Sequence, residues 1–457
     1  MINKMLDRSK KPQPSEEIPF VLPELNRLRL SNGLEVFFIQ FDKLPIVQMY
    51  MVTKAGSKFD PKGKSGLSQL FTSLLDEGAD EYDSLALNEE FEMLGSVLTS
   101  FADQEFVFVS LLTLTENLER SVELFGKVIT KPRFDITDFN REKDKALVRI
   151  LQAQDDPAYL ASINFEKIIF GDNHPYGFPE IGLNETVSSI TLNDVTEFYK
   201  NNFLADNSSL VVVGNIDKDI LISNLENRLE VWSTGEQKKP GFPKPVLSTN
   251  KIYIIDKEDS PQTEIRIGHL TSNRNNPEFF PKYLVNQILG GQFNSRLNMN
   301  LREKNGFTYG INSAFNYNIE ASYFYITCAV DTENTFAAVR EILDELKRIK
   351  KDISADELDF VKTSVIRKFP STFETYSKAA RNYLTIVEYG LPENYLSTYI
   401  DNIKAVQLDE VLNAANKYLS DAYLTILLVG DKEKLLSQLK QVDGFEITEL
   451  DINGNPI

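Results

Sequence analysis

The strongest constraint on the fold of this chain is an internal repeat. The run TLNDV that begins at Thr191 corresponds to QLDEV at Gln407, and LVVVGN at Leu210 corresponds to ILLVGD at Ile426. The members of each pair lie 216 residues apart. A nearly constant separation between helix-like and strand-like segments is typical of a duplicated structural unit. The sequence therefore predicts two similar halves.

Each half mixes strand and helix patterns in the same order. In the first half, alternating or continuous apolar residues predict strands at 34–39, 47–52, 104–112 and 210–213. Amphipathic spacing predicts helices at 66–75, 85–94, 117–129, 138–152 and 195–202. Several neighbouring strands mixed irregularly with helices indicate an α+β fold rather than a doubly wound parallel sheet. We expect each half to be an α/β sandwich with a mixed, mainly antiparallel sheet covered by helices.

A stretch rich in Pro, Gly and Lys separates the two halves. Residues 234–245 read TGEQKKPGFPKP, a composition that cannot bury enough apolar surface to fold. The expected divisions are a polar N-terminal tail at 1–20, a first half at 21–232, a linker at 233–249 and a second half at 250–457. The chain after Asp451 is expected to be loose.

The net charge of −18 over 457 residues argues against nucleic acid or an anionic membrane surface as a partner. Two interpretations of the charge stay open: it keeps the protein soluble, or it lines a chamber that favours basic peptides. The single cysteine, Cys328, lies in an apolar run, so we expect a buried, inert thiol. We find no pattern of a signal peptide or transmembrane helix and therefore expect a cytoplasmic location.

Residues 66–75 form the segment with the most informative motif. They read GLSQLFTSLL and follow the turn KAGS at 54–57. This segment resembles the helix on which pitrilysin/insulinase-type metallopeptidases carry an inverted H-x-x-E-H motif. There, two His and a Glu hold Zn²⁺ and activate its bound water; this chain has Gln69, Thr72 and Ser73 instead. The resemblance covers nearly the whole chain and implies the metallopeptidase-like (LuxS/peptidase) fold.

The third zinc ligand of that family, a glutamate on a later helix, corresponds to Arg149 in this sequence. A guanidinium at that position repels a metal cation. The resemblance therefore implies a degenerate site at Gln69, Thr72, Ser73 and Arg149, with no metal or other cofactor in this chain and zinc in a partner subunit.

The two histidines do not offer a replacement site. Neither has a second His or a carboxylate at ligand spacing. His174 opens the turn-like run HPYG and His269 follows a strand-like alternation, so we interpret both as structural residues. No Ser/His/Asp or Cys/His set is apparent, which argues against a stand-alone hydrolase.

The second half keeps a different signature. Residues 295–309 read SRLNMNLREKNGFTY and resemble the family segment whose Arg and Tyr, seven residues apart, face the active site of the zinc-bearing half. Arg302 and Tyr309 match both types and the spacing. A guanidinium fork and a phenolic O–H are donors suited to a peptide carbonyl, and the resemblance implies that they clamp the oxygen that becomes negative in hydrolysis. From the residues alone, a second interpretation stays open: Arg302 is a surface arginine paired with Glu303, and Tyr309 is a core aromatic.

A strand predicted at 99–112 is the third candidate element. In the family, the corresponding strand presents its edge to the substrate, which adds as an extra β-strand. Thr99, Ser100 and Phe101 are the substrate-binding candidates on this basis. An ordinary sheet strand is the alternative.

The resemblance implies a non-catalytic subunit of a heterodimeric zinc endopeptidase. The partner would be a homologous subunit with the H-x-x-E-H motif, and the substrate would be a peptide. This chain would close the peptide chamber and supply Arg302 and Tyr309. Two alternatives stay open: a structural scaffold, comparable to the family-related core subunits of the respiratory cytochrome complex, and a peptide-binding protein without proteolytic activity.

Overall fold

A computed structural model describes residues 20–237, 241–245, 250–420, 423–438 and 445–457. Its first half contains a six-stranded sheet in the order β1-β2-β8-β3-β7-β6 and a small β4-β5 pair. The strands are β1 Leu25–Arg29, β2 Glu35–Gln40, β3 Ile46–Thr53, β4 Gly78–Ala79, β5 Tyr82–Asp83, β6 Val97–Ala102, β7 Val107–Leu114 and β8 Ser208–Gly214. Only the β2-β8 pair of the large sheet is parallel.

The second half repeats this sheet in the order β11-β12-β10-β13-β9-β14. Its strands are β9 Lys251–Asp256, β10 Gln262–Thr271, β11 Ile311–Asn316, β12 Ser322–Asp331, β13 Thr425–Gly430 and β14 Glu446–Leu450. Three of its strand pairs are antiparallel and the two that involve β9 are parallel. The predicted α+β class with mixed, mainly antiparallel sheets is confirmed.

Helices surround both sheets. They are α1 Leu67–Thr72, α2 Ser84–Met93, α3 Leu118–Thr130, α4 Ile136–Ala153, α5 Pro157–Phe170, α6 Asn184–Ser189, α7 Leu192–Asn202, α8 Lys218–Leu229, α9 Phe279–Leu289, α10 Thr335–Arg348, α11 Ala355–Lys368, α12 Tyr376–Tyr389, α13 Tyr399–Ala405, α14 Leu408–Tyr418 and α15 Lys432–Gln438. A π-helix spans Asn298–Lys304. Within the described ranges, no helix is both long enough and apolar enough to cross a bilayer.

The two halves exchange one helix each. Helix α5 of the first half packs on β10 and β13 of the second sheet, and α12 of the second half packs on β3 and β8 of the first sheet. Each sheet is therefore covered on both faces, by its own helices and by a helix from the other half. This arrangement explains why the central strands β3 and β8 are apolar along nearly their whole length, since neither face meets water.

One predicted strand is wrong. The sequence pattern predicts a single strand over 99–112, whereas the chain forms a hairpin of β6 and β7 with a turn between them. The Asp103 carboxylate accepts hydrogen bonds from the backbone N–H groups of Glu105 and Phe106, both at 2.7 Å. This local side-chain-to-backbone bonding competes with the extended conformation and closes the turn. The predicted helix at 66–75 is also shorter and ends at Thr72.

The end of the chain is held rather than loose. The α5 side chain of Asn164 donates to the Ile452 carbonyl at 3.1 Å, and that of Lys167 donates to the Asn453 carbonyl at 2.7 Å. Two other expectations fall partly outside the described residues: nearly all of the N-terminal tail, and 238–240 and 246–249 of the linker. The described linker residues have no regular secondary structure.

Candidate functional site

Helix α1 carries Gln69 and Thr72, and Ser73 directly follows it, so three of the four positions where zinc ligands are expected lie at this helix. It begins after Gly66, whose φ of +94° lies in the left-handed region. The carboxylate of Asp60 caps the helix by accepting from the N–H groups of Gly66 and Ser68 at 2.9 Å. Burial raises the pKa of Asp60 to about 7. The start of the helix is thus held by buried contacts, independently of any metal.

The side chains at the three α1 positions tie this helix to itself and to β6. The amide nitrogen of Gln69 donates to the Ala102 carbonyl at 2.6 Å, and the Ser100 hydroxyl donates to the Thr72 carbonyl at 2.8 Å. The hydroxyls of Thr72 and Ser73 both donate to the Gln69 carbonyl, at 2.9 and 3.0 Å. These positions therefore make structural hydrogen bonds.

Arg149 lies exposed on α4, a helix that contacts α1. Zinc in proteins is held by Cys, His, Asp or Glu, and one amide, two hydroxyls and a guanidinium are not such a set. In the part of the chain that the structure describes, no three His, Cys, Asp or Glu residues come together as a metal site. The residues present do not fit a zinc ion.

Strand β6 is the edge of the first sheet, and its backbone bonding alternates. The Asp103 N–H donates to the Phe106 carbonyl at 2.9 Å, which identifies this as a hydrogen-bonded pair. In an antiparallel ladder, the backbone N–H and carbonyl of the preceding residue then point away from the partner strand. The backbone groups of Ala102 and Ser100 consequently face the free edge, while those of Thr99 and Phe101 pair with β7. Of the three substrate candidates, only Ser100 offers its backbone to an added strand.

The second half uses an amide in the same way. Asn286 on α9 lies 217 residues after Gln69, and its Nδ2 donates to the carbonyl of Ser313 on the edge strand β11 at 2.9 Å. The amide of Asn298 bonds Ile311, two residues earlier on the same edge strand. It donates to the Ile311 carbonyl at 2.7 Å and accepts from the Ile311 N–H at 3.2 Å. The sequence analysis missed both residues, although the repeat offset leads directly from Gln69 to Asn286.

Arg302 and Tyr309 stand at the surface of the second half. Tyr309 is 91% exposed, so its interpretation as a core aromatic is wrong. The Arg302 Nε lies 3.4 Å from a Glu303 carboxylate oxygen, and its guanidinium carbon lies 4.6 Å from the ring centre of Phe293. The side chain of Arg302 remains 37% exposed. Both predicted donors are therefore accessible from outside the chain.

The backbone that carries Arg302 is held by regular structure and by hydrogen bonds. Arg302 belongs to the π-helix Asn298–Lys304, a rare element that is frequent at functional sites. The Asn300 amide donates to carboxylate oxygens of Glu341 and Glu345, both at 2.9 Å. Rigid support of this kind positions exposed donors before a ligand arrives.

The lone cysteine and the histidines are structural. Burial raises the pKa of the Cys328 thiol to about 12, so it is not a nucleophile at neutral pH. His269 accepts from the Ser420 N–H through Nε2 at 3.0 Å, and burial lowers its pKa to about 4. His174 accepts from the Tyr176 N–H at 3.2 Å at the start of a turn.

Two family profiles match the chain. The insulinase (peptidase family M16) profile matches residues 38–174, and the profile of the peptidase M16 inactive domain matches residues 189–365. The chain belongs to peptidase family M16.

Relatives of this M16 chain carry different descriptions. An uncharacterized zinc protease of Rickettsia felis is 25% identical over 413 residues, which cover 89% of this chain and 98% of the relative. The non-peptidase homolog YmxG of Helicobacter pylori is 24% identical over 396 residues, which cover 86% and 90%. The crystal structure of a peptidase M16 inactive domain from Pseudomonas fluorescens has a TM-score of 0.84 at 25% identity and covers 89% of this chain and 98% of that one.

The absence of zinc ligands at these positions is consistent with the descriptions of the non-peptidase relative and of the inactive-domain neighbour. This chain is a non-catalytic member of the M16 family.

Proposed function

We propose that this M16 chain is the non-catalytic subunit of a two-subunit zinc endopeptidase. Its partner is a homologous chain with an intact H-x-x-E-H motif, and the zinc ion belongs to that partner. The chain closes the peptide chamber and presents Arg302 and Tyr309 to the partner's site. The observation that carries the proposal is that Tyr309 is almost fully exposed and Arg302, seven residues before it, is also accessible.

The surface around the two donors supports a partner face. Phe293 and Met299 lie in the same stretch of chain and are 61% and 48% exposed. With Tyr309, they place three large side chains in contact with water, where they contribute nothing to the core. Exposed apolar side chains that group together are typical of protein interaction surfaces. Aromatic residues, Met and Arg are also the types enriched in interfaces.

The chemistry of the pair suits amide hydrolysis. The partner's zinc would supply the activated water, and this chain would supply two donors for the substrate carbonyl. A guanidinium stays charged at any physiological pH, and the phenol adds one directed O–H. Both stabilise negative charge on the carbonyl oxygen better than they stabilise the neutral carbonyl. Loss of one such donor typically reduces turnover by about a hundred- to a thousandfold.

The free edge of β6 supports peptide binding by this chain. The outward N–H groups of Ser100 and Ala102 have no partner among the described residues, so they are available to an added strand. The Ala102 carbonyl already accepts from Gln69. An incoming peptide would consequently pair with the edge at Ser100 more completely than at Ala102.

The test measures peptidase activity of this chain, of an H-x-x-E-H homologue from the same organism, and of their mixture. We expect activity only in the mixture, abolished by a chelator, and a loss of about a hundredfold or more in kcat with Arg302→Ala or Tyr309→Phe. Arg27→Ala is the matched control, because Arg27 is also an exposed arginine beside a carboxylate, that of Glu35 at 2.6 Å, and over an aromatic ring, that of Phe37. It should leave kcat unchanged.

A mixture that is no faster than the homologue alone would overturn the proposed division of labour. So would a mixture in which Arg302→Ala and Arg27→Ala behave alike. Peptide binding by the isolated chain, without any activation of the homologue, would then favour the second candidate, a peptide-binding protein that uses the free edge of β6. If the chain neither binds a peptide nor activates the homologue, the remaining interpretation is a structural scaffold.

A further inference from the structure

A cavity of about 410 Å³ lies in the second half and has an unusual composition. It is bounded by α9, the edge strand β11, α12 and the segment that leads into α13. Its wall is mainly aromatic and includes Phe279, Phe315, Tyr317, Tyr395 and Tyr399, with Arg274 as its one charged lining residue. A chain with 67 acidic residues places none of them in this wall.

Arg274 is a buried cation without a carboxylate partner. It is only 7% exposed, and the one hydrogen bond of its guanidinium to a described residue goes to the Tyr395 hydroxyl. Its guanidinium carbon lies 3.2 Å from the ring centre of Phe279 and 5.1 Å from that of Tyr395. Contacts with aromatic faces stabilise a cation by up to about 2 kcal/mol. Buried charges in proteins are otherwise paired, because the loss of hydration costs more than such contacts return.

A second buried basic group lies behind the same wall. Lys282 is 1% exposed, and its ammonium donates to the carbonyl and hydroxyl of Ser272 at 3.0 and 3.1 Å. The ammonium lies 4.3 Å from the ring centre of Phe315 and 4.8 Å from that of Tyr317. Within the described ranges it also makes no ion pair with a carboxylate. Burial lowers the pKa of Lys282 to about 7, so the guanidinium of Arg274 is the group of the two that stays fully charged at neutral pH.

The cavity also contains an unused donor and an unused piece of sheet edge. The Tyr317 hydroxyl is buried and has no hydrogen-bond partner in the described structure. The backbone carbonyls of Ile311 and Ser313 accept from the side chains of Asn298 and Asn286, so the backbone groups of these β11 residues point to the free edge of the sheet. By the same alternation the backbone N–H and carbonyl of Phe315 point to this edge, and no described residue forms a hydrogen bond with either.

We propose that this cavity binds the C-terminal residue of a peptide, with an apolar side chain among the aromatic rings and its carboxylate on Arg274 and the Tyr317 hydroxyl. The guanidinium offers a planar fork that matches a carboxylate. The free backbone groups of Phe315 pair with the peptide backbone, which distinguishes a peptide end from a simple organic acid. The cavity volume lies in the usual range for small-ligand sites. The site is separate from Arg302 and Tyr309 and needs no partner subunit.

The test is calorimetric titration of the full chain with N-acetyl-alanyl-alanyl-phenylalanine, with its C-terminal amide, and with 3-phenylpropionate. We expect the peptide acid to bind at least about tenfold more tightly than the amide, because only the acid pairs with Arg274. Phenylpropionate should bind more weakly than the peptide acid. In Arg274→Gln the preference for acid over amide should fall below about twofold.

Two further variants keep the result interpretable. Arg266→Gln is the matched control, since Arg266 is equally buried at 7% but is paired with Glu264 at 2.8 Å and lies outside the cavity wall. It should not change the preference. Tyr317→Phe removes only a hydroxyl that has no partner in the fold, so it should weaken acid binding several-fold without lowering stability.

Equal affinity for acid and amide in the unmodified chain, or no binding of either, would overturn the proposal. So would an unchanged preference in both Arg274→Gln and Tyr317→Phe. If Arg274→Gln does not fold, the wild-type comparison and Tyr317→Phe decide. Phenylpropionate binding as tightly as the peptide acid would overturn the assignment to a peptide end.

Discussion

The ammonium of Lys58 lies 2.6 Å from a carboxylate oxygen of Glu105, and both side chains are more than nine-tenths buried. Glu105 also accepts from the Tyr176 hydroxyl and from the Ile319 N–H, the latter at 2.8 Å. Ile319 belongs to the second half, whereas the other three residues belong to the first. The carboxylate of Glu105 therefore makes an ion pair and a hydrogen bond within the first half, and one further hydrogen bond joins it to the second half.

Replacing this carboxylate should be costly. Glu105→Gln leaves the Lys58 charge buried without its nearest partner, and breaking a buried pair in this way typically costs about 3–5 kcal/mol. The free energy of unfolding from urea titrations measures the loss. Glu81→Gln is the control, because Glu81 pairs with Lys127 while 56% exposed and should cost less than about 1 kcal/mol. Equal losses in the two variants would contradict the structural role given to Glu105.

The amides at the repeated position should contribute to stability separately. Gln69→Ala removes one hydrogen bond at the surface of β6, for an expected loss of about 1 kcal/mol. Asn286→Ala should cost about 2 kcal/mol, because Asn286 bonds both the carbonyl and the hydroxyl of the buried Ser313. The sites lie in different sheets, so the double variant should lose the sum to within about 0.5 kcal/mol. A strongly non-additive double variant would show that the two edges are coupled.

Gly66 should tolerate no side chain. Its φ is +94°, and an added Cβ would lie 2.8 Å from both the Ile181 carbonyl oxygen and a Val187 methyl carbon. Gly66→Ala should therefore cost about 3 kcal/mol, from backbone strain and overpacking together. Gly306 is a matched control, since its φ is +65° and a Cβ there would meet nothing within 4 Å. Gly306→Ala should cost only the backbone term, about 1–2 kcal/mol.

Stability should fall as the pH rises from about 5 to 8. Burial, together with the carboxyls of Asp103 and Glu166, raises the pKa of Glu180 to about 8. Burial raises the pKa of Glu166 to about 7. In this window these two carboxyls bind more protons in the folded chain than in the unfolded chain, so through them each rise in pH favours unfolding. The contribution is complete below the unfolded pKa and is lost as the pH passes the folded pKa.

Thermal or urea unfolding at several pH values measures this dependence, whose slope is at most about 1.4 kcal/mol per pH unit for each group. Glu180→Gln should flatten the curve and stabilise the chain at pH 8 but not at pH 5. Glu197→Gln is the control, because Glu197 is a surface residue on α7 that is 51% exposed. A Glu180→Gln curve parallel to that of the wild type would contradict the assignment.

The sequence alone determined the repeated α+β architecture, the loss of zinc ligands at Gln69, Thr72, Ser73 and Arg149, and the match of Arg302 and Tyr309 to the family signature. These features depend on residue type, on spacing along the chain and on periodicity, all of which can be read directly from the sequence. The turn at Asp103 was missed because a polar residue between two apolar runs is also compatible with one longer strand. One side chain, bonding two backbone N–H groups, decided between the two.

Only the tertiary structure decided which helix covers which sheet, where the buried charges meet, and which backbone groups face an edge. The exchange of α5 and α12, the contact of Glu105 with Ile319, and the cavity around Arg274 all join residues that are distant in sequence. Burial of apolar surface is not directional. The apolar face of a helix or strand therefore indicates that another element covers it, but does not identify that element. The packing of the whole chain determines which elements contact each other. It also determines which buried side chains are left without a hydrogen-bond or ion-pair partner.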